Sequence, residues 1–132
     1  ATEEVAKAFT PGSHGTTFGG HPVSCAAALA EVGELLDRDL AGNAAKMGTY
    51  FMEKLAKIPH VKEVRGQGLL VGVEFDDPIS GVDVKHGCLD RHLLITAIGA
   101  HTIRMVPPLI ITEEDCDQAA AIIEETVKAL SE

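Results

Sequence analysis

The chain has 132 residues and a mass of 13.9 kDa, one ordinary domain's worth of polypeptide and enough to bury on the order of two-thirds of its unfolded surface. Hydrophobic residues make up 45% and charged residues 23%, as in globular proteins, and no apolar stretch approaches the roughly 18–20 residues of a membrane span. Twenty acidic residues against eleven basic ones give a net charge of −9, with one Tyr and no Trp. That excludes a nucleic-acid-binding surface built on Lys and Arg, but not a small anionic ligand held by one or two placed groups.

Thr2 to Phe9 is expected to be a short helix, interrupted by Pro11 and Gly12. Ser13 to Pro22 has no helical or strand period. With three Gly it reads as a loop that brings backbone close to something. Pro22 suits the first turn of the next helix, which runs to about Asp37 with Cys25, Ala28, Leu29, Val32 and Leu36 at helical spacing. A second helix spans Leu40 to Ile58, with Leu40, Ala44, Met47, Phe51, Leu55 and Ile58 on one stripe and Pro59 ending it.

The middle is β. Val61 to Arg65 is a short strand, Gly66-Gln67-Gly68 a turn or bulge, and Leu69 to Phe75 an apolar strand too apolar for a sheet edge. After a loop over Asp76 to Gly81, Val82 to His92 is a weaker helix, since Gly87 costs about 1 kcal/mol of propensity. Leu93 to Ala97 and Thr102 to Val106 form a hairpin through a Gly-containing link. Thr112 caps the last helix, whose first turn carries Glu113, Glu114 and Asp115. Its stripe is Cys116, Ala119, Ala120, Ile123, Val127 and Leu130. Helices on one face of a small, mainly antiparallel sheet would bury these stripes, an α+β domain. The first ~20 residues do not fit that core and read as the edge of another domain. Ala1-Thr2 at the start, and a Gly-rich motif before any strand, read as a piece of something longer. No signal peptide is expected.

Three Cys (Cys25, Cys88 and Cys116) without C-x-x-C or C-x-x-H spacing are expected to be reduced thiols packed in a core, with a cytoplasmic location as the default. The six His show no metal-type pairing, so no metal site is expected. His60, His86, His92 and His101 read as solvent-facing or structural. No Ser/His/Asp order or G-x-S-x-G elbow occurs. The Lys residues (7, 46, 54, 57, 62, 85 and 128) fall on polar helix faces or a strand edge. None promises the desolvated or cation-flanked setting that frees an amine for Schiff-base chemistry, and no catalytic residue is assigned.

Two places carry chemistry. Ser13-His14-Gly15-Thr16-Thr17-Phe18-Gly19-Gly20 combines hydroxyls, Gly and a following helix N-terminus, the donors a phosphate needs, although a surface loop with Ser/Thr turns would read the same way. Arg104 interrupts the apolar strand Thr102-Ile103-Arg104-Met105-Val106. It must be exposed on one sheet face or paired, and its planar fork suits a carboxylate, whether of a ligand or of a structural salt bridge.

The run H-G-T-T-F-G-G-H-P followed by C-A-A-A-L-A resembles the signature H-G-[ST]-T-[FY]-G-G-N-P…C-A-A-A of class III pyridoxal-phosphate aminotransferases. V-R-G-Q-G-L-L-V-G-V-E and I-R-M-V-P-P-L-I-I-T-E-E-D extend the likeness over essentially the whole chain. In order and spacing it is similar to the C-terminal third of the acetylornithine and ornithine aminotransferases of that family. The resemblance implies that residues 1–37 are the edge of a large cofactor-binding domain and 38–132 a C-terminal small domain. It implies that Thr17, with Thr16 beside it, donates hydrogen bonds to the phosphate of pyridoxal 5′-phosphate bound in the neighbouring subunit of a homodimer. It implies that Arg104 pairs with the α-carboxylate of the amino-acid substrate or of 2-oxoglutarate, and that Gly66 and Gly68 are turn residues. His21 departs from the usual Asn, which could bond the loop backbone through both amide groups. The family's Schiff-base Lys, the Asp at the pyridine nitrogen and the ring-stacking aromatic lie upstream of the Gly loop, so the chain alone is expected to be inactive. The implied reaction moves the δ-amino group of N-acetylornithine to 2-oxoglutarate, in arginine biosynthesis. Ornithine, succinylornithine, 4-aminobutyrate and lysine donors stay open, as does a stand-alone, non-catalytic α+β interaction module.

Overall fold

The computed structural model describes residues 1–132, which divide into two compact units, Ala1–Asp37 and Arg38–Glu132. In the first, helix α1 is only Glu3–Ala6, capped by the Thr2 hydroxyl, which accepts from Val5 N–H. The expected helix to Phe9 ends early because a turn closes around Pro11-Gly12. There Ser13 N–H donates to Thr10 C=O (3.0 Å), and the Ser13 hydroxyl donates to the same carbonyl (2.7 Å) while accepting from Thr10 N–H. Helix α2 is Pro22–Asp37, as its Pro and apolar spacing predict, yet none of its residues is buried. Cys25 is exposed, which corrects the expectation of a core thiol there. An apolar stripe fixes only which side of a helix can be covered.

The second unit opens with α3, Leu40–Leu55, whose N-cap Asp39 accepts from Gly42 N–H (3.2 Å). The helix stops three residues before the predicted Ile58. Its last turn tightens, with Lys57 N–H on Lys54 C=O and Ile58 N–H on Leu55 C=O, as Pro59 turns the preceding backbone away from the α region. Ile58 stays in the core. Strands β1 (Val61–Gln67) and β2 (Leu70–Phe75) pair antiparallel, with Gln67 opposite Leu70. The turn is therefore Gly68-Leu69 rather than Gly66-Gln67-Gly68: β1 runs two residues further than predicted and β2 starts one residue later. Gly68, at φ 54°, supplies the positive φ that a two-residue hairpin requires. Gly66 belongs to β1, where a Cβ would collide with the carbonyl of Leu70.

Helix α4 (Gly81–Asp90) starts at Ser80, whose hydroxyl accepts from Asp83 N–H. It ends in a Schellman arrangement: His92 sits at φ 64°, its N–H reaches Leu89 C=O, and Leu93 N–H reaches Cys88 C=O. That closure consumes Leu93, so the next strand β3 is Thr96–Ile98 rather than Leu93–Ala97, and it pairs antiparallel with β4, Thr102–Met105. Helix α5 (Glu113–Ser131) begins with a full capping box between Thr112 and Asp115.

The sheet order is β1-β2-β4-β3, antiparallel throughout. Val71, Val73, Phe75, Ile103 and Met105 line its inner face. With Met47, Phe51 and Leu55 of α3, Val84 and Cys88 of α4, and Cys116, Ile123 and Val127 of α5 they form one core. This is the expected α+β arrangement, with helices on one face of an antiparallel sheet. The other face is left open, and the period-2 alternation of strands decides what stands on it.

Candidate functional site

Ile103 and Met105 point into the core, so Arg104 between them must stand on the open face, where it is exposed. The pairings set Arg65 of β1, Gly72 of β2, Arg104 of β4 and Thr96 of β3 in one row across the sheet. Above Gly72 lies a groove of about 440 Å³ whose lining includes Arg65, Leu70, Gly72, Ile98, Thr102 and Arg104.

The charges on this face are unequally matched. Arg65 Nη1 contacts Glu63 (2.9 Å) and Glu74 (3.0 Å), and Lys62 Nζ contacts the other Glu74 oxygen at 2.7 Å. Hydrogen bonds from Lys62 and then Arg65 hold the Glu74 carboxyl below its ordinary range. Lys62 and Arg65 thus balance Glu63 and Glu74. Arg104 has no such acid, so it gives the groove one uncompensated guanidinium in a partly apolar wall. That is the chemistry of a carboxylate receptor.

Thr16 and Thr17 lie in the first unit, Arg104 in the second. The Gly-rich loop is exposed throughout. Thr16 Oγ1 accepts from Gly19 N–H at 3.1 Å, and its hydroxyl proton stays available to donate. A Cβ at position 19 would collide with the Thr16 methyl, so Thr16 would have to turn away from its bond with Gly19 N–H, and Gly20 sits at φ 76°. Thr17 is exposed beside them. His21 occupies the N-cap of α2: its carbonyl accepts from Cys25 N–H (3.0 Å) and its own N–H reaches Phe18 C=O (3.2 Å). Two hydroxyl donors, bare loop backbone and the start of a helix of 16 residues fit a phosphate by the chemistry of the donor set.

No lysine is buried. Hydrogen bonds to Asp117 and Glu74 raise the amines of Lys54 and Lys62, away from a free nucleophile. No three His, Cys, Asp or Glu side chains come together to hold a metal. The buried Cys88 thiol is pushed up by desolvation and touches Thr126, so it is inert. His101, half-buried, bonds the Ile79 carbonyl through Nδ1 at 2.8 Å, a structural role. Sequence reading singled out Arg104 but missed its neighbours Arg65 and Gly72. Their signal is period 2 on both sides of the β1–β2 hairpin, which a turn expected at Gly66-Gln67-Gly68 rather than Gly68-Leu69 hides.

The chain belongs to the aminotransferase class-III family, whose profile matches residues 1–127. It is 41% identical over 134 aligned residues to an acetylornithine aminotransferase of Methanothermobacter thermautotrophicus, covering 98% of this chain and 34% of that protein. It is 45% identical over 121 residues to ornithine aminotransferase 2 of Staphylococcus aureus, covering 90% and 30%. The chain thus spans about a third of the length of these relatives. Among solved structures, the ornithine aminotransferase of Toxoplasma gondii superposes with a TM-score of 0.83 at 36% identity, over 97% of this chain and 32% of that one. The acetylornithine aminotransferase of Elizabethkingia anophelis superposes with a TM-score of 0.81 at 33% identity, over 98% and 34%. No helix is long and apolar enough to cross a membrane.

Proposed function

We propose that these residues form part of a cytoplasmic, homodimeric aminotransferase that moves the δ-amino group of N-acetylornithine to 2-oxoglutarate, a step of arginine biosynthesis. Residues 1–37 are the edge of its large domain and 38–132 its small domain. The single observation that carries the reading is Arg104, an exposed guanidinium without a matching acid, set in the groove of an otherwise apolar strand. Donor and acceptor both carry an α-carboxylate, next to the reacting carbon in 2-oxoglutarate and at the far end of the chain from the reacting δ-carbon in N-acetylornithine, so a fork that receives both in turn holds the two chains in different orientations. Pyridoxal 5′-phosphate, when bound, supplies the electron sink. Thr17, assisted by Thr16, donates to its phosphate across the subunit boundary, and the Gly backbone lets that phosphate come close. The relatives named for acetylornithine and ornithine support the substrate class. The ornithine relatives keep free ornithine as the second reading.

The test is made in the enzyme that contains this stretch. Arg104→Lys keeps the charge and loses the fork. It should weaken both N-acetylornithine and 2-oxoglutarate by about 1.5–3 kcal/mol, one to two orders of magnitude in KM. Thr17→Val should raise the cofactor concentration needed for half activity. Unchanged KM for both substrates removes Arg104 from the site. Because no lysine here is buried, residues 1–132 alone should show no turnover with any of the five donors. Turnover by the isolated chain overturns that part of the proposal.

A further inference from the structure

The open face of the sheet carries a cross-strand pairing that is unfavourable by itself. Glu63 of β1 stands directly opposite Glu74 of β2, and like charges in that position destabilise a sheet. What offsets the repulsion is convergence on a cation. Both carboxylates meet one atom, Arg65 Nη1, at 2.9 and 3.0 Å. The other Glu74 oxygen accepts from Lys62 Nζ at 2.7 Å. These bonds draw the Arg65 guanidinium toward the row of Glu63 and Glu74, away from the row it shares with Gly72 and Arg104.

The direction of that pull matters because Arg65 and Arg104 line one groove. They stand two strands apart, about 10 Å between backbones, and Gly72 puts no side chain between them. Released from its acids, Arg65 could lean over Gly72, and the two forks would meet a short dicarboxylate from both ends. The charges present oppose this. Once Arg104 holds one carboxylate, as the proposed function has it, the ligand neutralises Arg104. Lys62 and Arg65 are already matched by Glu63 and Glu74. A second carboxylate in the groove would find no spare cation and would lie near two glutamates. We propose that Glu74 is a positioning residue for specificity: by holding Arg65 aside, it limits this groove to a single carboxylate. The inference rests on Arg104 as the carboxylate receptor. The second carboxylate of 2-oxoglutarate accordingly finds its cation outside this groove.

The experiment uses the enzyme that contains this stretch and two inhibitors of equal chain length, glutarate with two carboxylates and valerate with one. The readout is the ratio of their inhibition constants against 2-oxoglutarate, with Tm measured on every variant. Glu74→Gln keeps the shape of the side chain and removes its charge. It should tighten glutarate relative to valerate by about three- to fivefold, the worth of an exposed ion pair. Arg65→Gln in the wild-type background should leave the ratio unchanged. In the Glu74→Gln background it should abolish the gain, a coupling that a purely structural role would not produce. Glu63→Gln removes the other acid from Arg65 and should shift the ratio the same way, so that a folding failure in one glutamate variant leaves the other to decide. A ratio unmoved by the glutamate variants overturns the inference. So does a gain that survives Arg65→Gln, or a wild-type ratio that already depends on Arg65. Arg104→Gln separates the two levels. If it weakens both inhibitors while the glutamate variants keep the wild-type ratio, only the role of Glu74 falls. If it weakens neither, the carboxylate receptor itself is wrong and the role of Glu74 falls with it.

Discussion

Gly87 lies in the middle of α4, where its neighbour is the Thr126 methyl of α5. On propensity alone Ala would stabilise this half-buried helix position by about 1 kcal/mol. The added Cβ would stand 2.6 Å from that methyl, and Thr126 has no easy way to turn. Its hydroxyl donates to Ile122 C=O at 2.8 Å and touches the Cys88 sulfur. Overpacking costs about 1–3 kcal/mol, so Gly87→Ala should be net destabilising. Thr126→Ser removes the methyl and keeps the hydroxyl. In the background of that substitution, Gly87→Ala should become neutral or stabilising, a coupling that urea unfolding of the four proteins would measure directly. Ala that destabilises equally in both backgrounds would place the strain elsewhere. The same reasoning separates the glycines by purpose. In sequence, Gly66, Gly72 and Gly87 look alike. Only the distance to a neighbour contributed by another element tells a packing glycine from one that a methyl could replace without a clash.

At the scale of elements, α5 shows a boundary written fully in its own residues. Thr112 three positions before Asp115 is a capping box, and the structure closes it both ways. The bond from the Thr112 backbone N–H, and then that from its hydroxyl, holds the Asp115 carboxyl below its ordinary range. A folded pKa below the unfolded one, about 3.9 for Asp, means stabilisation that is complete above that range. It is lost as pH falls through it toward the folded value. Glu74 and Asp117 are lowered in the same sense. Thermal unfolding between neutral pH and pH 3 should therefore show a falling acid limb, and Asp115→Asn should make it shallower. Thr112→Ala should cost about 1 kcal/mol at neutral pH. An acid limb unaltered by Asp115→Asn would show that the box contributes nothing there. Other boundaries were less legible because their cause is not local. The expected strand from Leu93 loses its start to the closure of α4. The β1–β2 turn sits at Gly68-Leu69 because pairing register, set by burial of Val71, Val73 and Phe75, decides which Gly takes the positive φ. The stripes of α3 and α5 were readable because both face one core. Arg104 was readable because a charge inside an apolar strand has only one face to stand on.

For the whole molecule, the distribution of burial between the two units carries a consequence. Every buried core residue, from Met47 to Val127, belongs to Arg38–Glu132. In Ala1–Asp37, by contrast, Phe9, Phe18, Val23, Leu29, Val32 and Leu36 are all more than half exposed, Phe18 at 79%. The apolar spacing that correctly placed α2 could not say whether anything covers it. A stripe records that burial is favourable, and the covering surface has to be supplied by some other piece of protein. The core of the second unit is closed by its own α3, α4, α5 and sheet, so residues 38–132 should fold by themselves. Expressed alone they should unfold in one cooperative transition, with a midpoint within a few degrees of that of the 132-residue chain. They should also be more soluble, since seven large exposed apolar side chains are removed, Val5 among them, and such patches drive association. Differential scanning calorimetry and light scattering on the two chains test both halves of this. A non-cooperative or strongly lowered transition in residues 38–132 would mean that Ala1–Asp37 contributes to the core. Equal concentration-dependent scattering from both chains would place the associating surface on the second unit, where the open sheet face with Leu70 and Ile98 becomes the candidate.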